Sequence, residues 1–132
     1  LLPTTSETCV DWLHFETPQA QFDQAALVLI GKPVRVDGET LIYGYKANVY
    51  VLEVETVLKG DPGPAPFRIV STPVTCSAGV SYPDGDPLGR SQRMLIYAGK
   101  QENGWLTQTP AQGAVPFDVG EPLPFRASAP TG

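Results

Sequence analysis

The stretch "LIYGYKANVYVLEVETVLKG" (residues 41–60) limits the fold of this chain more than any other segment. It alternates at period two: Tyr50, Leu52, Val54, Thr56 and Leu58 share one face, and Val49, Val51, Glu53, Glu55 and Val57 share the other. Successive side chains of a strand point to opposite faces, so the segment reads as one long strand. Its first face stays apolar while the second turns charged halfway along. A barrel strand that runs out from under its cover has this pattern.

The other segments agree with an all-β chain. The 14 Pro and 13 Gly among 132 residues break helices and demand turns. "ETPQAQFDQAA" predicts one short helix, with Thr17 as N-cap, Pro18 at the first helical position and Ala20, Phe22, Ala25 and Ala26 following. "AALVLIGKPVRV" predicts a long, coiled first strand whose apolar run holds Leu27, Val28, Leu29 and Ile30, bent near Gly31 and Pro33. "DGET" (37–40) is expected to turn the chain into the long second strand. "FRIVST", "QRMLIYAG" and "WLTQT" give three more strands, the last two joined through an Asn-Gly turn. No element is expected after Pro110. Five strands, the first two long, are the inventory of a five-stranded Greek-key OB-fold barrel. Residues 1–8 are expected to be a linker arm, residues 9–118 the domain, and residues 119–132 a Pro-rich tail.

A formal net charge of −5 opposes nucleic-acid binding, which needs clustered Lys and Arg against phosphate. No run approaches the roughly 20 apolar residues of a membrane-spanning helix. Any membrane association is therefore expected only through an anchor outside these residues, with the domain itself secreted or at the cell envelope and monomeric.

Cys9 and Cys76 are the only two cysteines. A zinc site needs four ligands, and two Cys with one His and no close-spaced Cys pair do not supply them. A catalytic cysteine needs a base, and His14 is the one histidine on offer. The favoured reading is a structural disulfide, which would stabilise the fold by about 4 kcal/mol on chain-entropy grounds. Asp84 and Asp86 in "YPDGDPLG" faintly resemble a calcium loop but lack its closing Glu, so a solvated turn is expected there. Trp105 and Trp12 are expected at the core or half-buried. Glu53 and Glu55 should lie on a solvated strand face. No nucleotide, nucleophile-elbow or zinc-protease motif occurs, and neither cofactor nor metal is expected.

In order, "PQAQFDQAALVLIGKPV", "IYGYKANVYVLEVETVLKG", "VTCSAG" and "RMLIYAGK...GWLTQT" resemble the netrin-like module, and within it the N-terminal domain of the tissue inhibitors of metalloproteinases. The likeness runs over roughly residues 9–109. It implies an OB barrel, a Cys9–Cys76 bridge, and a contact ridge built from Val10, Asp11 and Trp12 beside Pro73, Val74 and Thr75. In that family the amine of the first cysteine chelates the target protease's zinc. Here eight residues precede Cys9, so its nitrogen is a peptide amide, and the family's other cysteines in this domain are missing. The expected function is thus a non-catalytic exported binding module acting on an unidentified protein. The alternative is metalloproteinase inhibition through the Cys9 ridge, if processing exposes Cys9.

Overall fold

Tyr43 (φ 51°) and Gly44 (φ 87°) reverse the chain between Ile42 and Tyr45, which pair directly. Two consecutive left-handed residues make the two-residue turn whose twist matches a hairpin, and glycine adopts that conformation without steric cost. The turn therefore lies at 43–44, and the expectation of a turn at "DGET" is corrected. Residues 37–38 instead form a bulge inside the first strand, marked by a register shift between Val36 and Glu39. The computed structural model describes residues 14–75, 80–82, 85–101, 104–110 and 112–126.

Strands β1 (Leu27–Ile42) and β2 (Tyr45–Lys59) form this long hairpin. Strand β3 (Phe67–Val70) pairs with the middle of β2, and β4 (Met94–Gln101) makes a hairpin with β5 (Gly104–Thr107). β3 and β5 run parallel, and β1 pairs antiparallel with β4 from Leu27↔Ala98 to Gly31↔Met94. The ring β1-β2-β3-β5-β4-β1 is thereby closed. It is the expected five-stranded Greek-key barrel, with one short helix.

The apolar runs at the starts of β1 and β4 are continuous because both faces are covered. Leu27 and Leu29 point into the barrel with Met94, Ile96, Ala98, Tyr50, Leu52 and Ile69. Val28, Ile30, Leu95 and Tyr97 point outward into a second core with Phe22, Phe117 and Phe125. Helix α1 (Pro18–Gln24) supplies Phe22 to that outer core and starts as expected: Thr17 Oγ1 accepts from Ala20 N at 3.1 Å. The Lys59 ammonium closes its other end, donating to the carbonyls of Phe22 (2.8 Å) and Asp23 (2.9 Å). A cation there complements the helix dipole.

Two features extend the expected inventory. A sixth strand, β6 (Ala114–Pro116), pairs with Met94–Ile96, taking the part of the β4 edge that short β5 leaves uncovered. The segment through Arg126 is packed rather than trailing. Phe125 stacks on Phe22 with centroids 4.4 Å apart and meets Tyr97 edge-on at 5.8 Å, while Arg126 N donates to Gln19 Oε1 at 2.7 Å. The Pro-rich tail expected from residue 119 therefore belongs to the folded body at least through Arg126.

Beyond Gly31, β1 has no partner on its β4 side among the described residues. Pro33, two bulges and the charges of Lys32, Arg35, Asp37 and Glu39 occupy that open edge. Such features keep an edge strand from pairing with other chains. As the alternation implied, Glu53 and Glu55 are exposed on the far half of β2.

Candidate functional site

After β3 the chain continues through residues 71–75, buried except at half-buried Val74. Ser71 N donates to Asn48 O at 2.9 Å, Thr72 N to Thr107 Oγ1 at 2.8 Å, and Val74 N to Ser81 O at 2.8 Å. The hydroxyls of Thr72 and Thr107 bond to each other at 2.9 Å, and that of Thr72 donates onward to the Thr107 carbonyl. Buried backbone and hydroxyl groups need such partners, and these ties continue the parallel β3–β5 contact past the end of regular pairing.

Asp86 fixes the loop that follows. Its carboxylate accepts from Tyr50 OH (2.7 Å) and Asn48 Nδ2 (2.7 Å) on β2, from Ser71 Oγ (2.6 Å), and from Leu88 N (3.1 Å). The last bond caps a 3-10 helix, Pro87–Arg90, that drives Leu88 into the barrel interior. The expectation of a solvated turn is corrected for Asp86; Asp84 lies outside the described residues. Tyr82 completes the lattice: its hydroxyl accepts from Asn48 N at 3.0 Å and donates to Ser71 O at 2.7 Å. Burial pushes the Tyr82 phenol up to about 12, a shift that the nearby Asp86 carboxylate reinforces and the bonds to Asn48 and Ser71 partly offset. Burial, and then the bond to Asp86, raises Tyr50 further.

These walls enclose a surface recess of about 200 Å³ at one end of the barrel. Val74, Pro87, Met94, Pro110 and Val115 supply apolar lining, and Arg90 stands with them. Arg90 is exposed, and among the described residues it has no hydrogen bond or ion pair. The left-handed Ser91 (φ 51°) ends the 3-10 helix immediately after it.

The segment before helix α1 is tied to residue 112, close in sequence to the recess-lining Pro110. Gln112 holds Phe15 by two bonds, accepting from Phe15 N at 3.0 Å and donating to Phe15 O at 2.9 Å. Gln21 Nε2 adds a bond to Gln112 O at 2.7 Å. Phe15 is thereby pinned to Gln112, two residues after Pro110.

The sequence-predicted site residues divide unevenly. Cys9, Val10, Asp11, Trp12 and Cys76 lie outside the described residues. Pro73 is fully buried and Thr75 is buried, whereas Val74 is half-buried and lines the recess. A contact ridge needs side chains at the surface, so within 73–75 only Val74 meets that requirement. His14 is exposed. Trp105 is half-buried against the core with the Lys100 ammonium 4.7 Å from its ring centroid, as expected of a semi-buried cap. Among the described residues no group of three or more His, Cys, Asp or Glu could hold a metal ion. Tyr82 and Arg90 are not singled out from the sequence, where Asp86 reads only as part of a solvated turn. "DP" at 86–87 repeats the cap-then-proline signature of Thr17–Pro18 and was the available signal for Asp86.

Neither a comparison with protein-family models nor one with curated proteins finds a match to this chain.

Proposed function

We propose that this chain is a non-catalytic interaction module, secreted or held at the cell envelope, that docks a protein partner at the barrel end around Val74. One observation carries the reading: a recess with apolar walls, open to solvent, is held in shape by the Asp86 and Thr72–Thr107 bonds. Ligand sites are concave, mostly apolar and largely preformed, and this recess has that character. The pinning of Phe15 to Gln112, close in sequence to Pro110, supports joint action with the arm carrying Cys9, Val10, Asp11 and Trp12. The resemblance to netrin-like modules and a Cys9–Cys76 bridge belong to the same reading.

The test is reconstituted binding. Proteins captured from the native secreted and envelope fractions are purified and titrated against the whole chain, a Val74→Glu variant and a Leu41→Glu variant on the exposed hairpin tip. Binding lost in Val74→Glu and kept in Leu41→Glu is the expected result. A partner lost only with Leu41→Glu would move the function to the hairpin and refute the assignment. The same titration with zinc metalloprotease catalytic domains addresses inhibition. Nanomolar inhibition by a chain beginning at Cys9, but not by the chain with residues 1–8, would favour the inhibitor alternative.

A further inference from the structure

Resting on that reading, we infer that the recess takes one aliphatic or aromatic side chain from an extended segment of the partner, with the carboxylate of an adjacent Asp or Glu on Arg90. Size sets the first half. About 200 Å³ falls below the roughly 300–1,000 Å³ usual for sites that hold drug-sized molecules, and suits a single side chain.

The polar inventory sets the second half. Tyr82 and Thr72 also line the recess, but their hydroxyl protons are already donated, Tyr82 to Ser71 and Thr72 to Thr107. A guest acceptor inside would find no donor on these two hydroxyls and would go unpaired at a cost of about 1–3 kcal/mol. Among the described lining residues the side-chain donor to spare is the Arg90 guanidinium, whose planar fork matches a carboxylate. Arg90 lines the recess and is also exposed, so its guanidinium is open at the rim to the carboxylate of a neighbouring residue. The net charge of −5 disfavours a run of acids, which leaves room for a single carboxylate in the segment.

Selection of random heptapeptides on the whole chain tests this, with selected peptides mapped by amide chemical shifts. The expected consensus is a Leu, Met or Phe next to a single Asp or Glu, shifting the amides of Val74, Met94 and Val115. Arg90→Gln should weaken such peptides about fivefold, the upper range for an exposed ion pair, and Arg90→Glu should switch the selected neighbour to Lys or Arg. Among the described residues Arg90 has no partner to lose, so neither variant should unfold the domain. Peptides that shift the recess without an acidic neighbour, or tighter binding of free hexanoate than of the peptides, would overturn the inference and leave the docking site standing. Peptides that shift only other surfaces, or no selection at all, would overturn both.

Discussion

Tyr50 on β2 donates its hydroxyl to Asp86 Oδ2 at 2.7 Å, which ties the barrel wall to the loop that shapes the recess. The two ends of this bond are not equivalent. Asp86 serves four donors, whereas Tyr50 loses one bond when its hydroxyl goes. Asp86→Ala should therefore lower stability by about 3 kcal/mol and Tyr50→Phe by about 1 kcal/mol, because unpaired donors cost more than a missing one. Urea unfolding followed by circular dichroism measures both. Equal losses would show that the carboxylate does not organise the cluster.

The same phenols set the alkaline limit. Tyr82 and Tyr97 are pushed up to about 12 from an ordinary 10.0, Tyr97 by burial alone, and Tyr50 is raised as well. A raised folded-state value gives stability that is fully present below the unfolded value of 10.0 and lost as pH rises through the folded one. The melting temperature should hold to about pH 10 and fall steeply towards pH 12. Absorbance at 295 nm should show these tyrosines ionising together with unfolding. Full ionisation near pH 10 with the fold intact would contradict the burial.

On the acid side the sign reverses. Arg93 holds the Glu55 carboxyl below its usual 4.5 through a two-pronged contact (2.8 and 2.5 Å), and Arg68 followed by Arg35 lowers Asp37 below 3.8. These depressed values give stability present above the unfolded values and lost as pH falls through the folded ones. Both pairs are exposed, so the effect is modest and screened by salt. A Glu55→Gln, Asp37→Asn double variant should lose less melting temperature than the parent between pH 5 and pH 2.5. Identical slopes would show that the pairs contribute nothing.

Phe125 gives the sharpest test of the C-terminal packing. Phe125→Ala removes a buried ring stacked on Phe22, at a cost of about 3 kcal/mol. Leu123→Ala, at a side chain 37% exposed, should change stability by under about 0.5 kcal/mol. If Phe125→Ala proved equally silent, residues 119–126 would be the tail that their composition implies.

Legibility in the sequence followed the range of the interactions. The alternation of β2 and the Thr17–Pro18 helix start are local patterns, and both were readable. The hairpin turn was displaced because "DG" at 37–38 has the usual turn chemistry, yet pairing with β2 continues past it as a bulge. "YG" at 43–44 does the turning with a tyrosine where Asn or Asp is common. β6 is three residues long and has no period to detect. Phe125 looks like loop text until Phe22 and Tyr97 are brought beneath it. The recess was hidden for the same reason: Val74, Met94, Arg90 and Val115 lie on four separate segments that only barrel closure assembles.

Closure by β1 and β4 also bears on the order in which the chain can fold. The β1–β2 hairpin needs only neighbouring residues and can form early, but Leu27 waits for Ala98. Contacts so far apart in sequence form slowly because the intervening loop must first be gathered in. During synthesis, the inward faces of β1 and β2 therefore stay uncovered until β4 has emerged. For that interval, Pro33 and the bulged, charged edge of β1 are what stand between a growing hairpin and its neighbours.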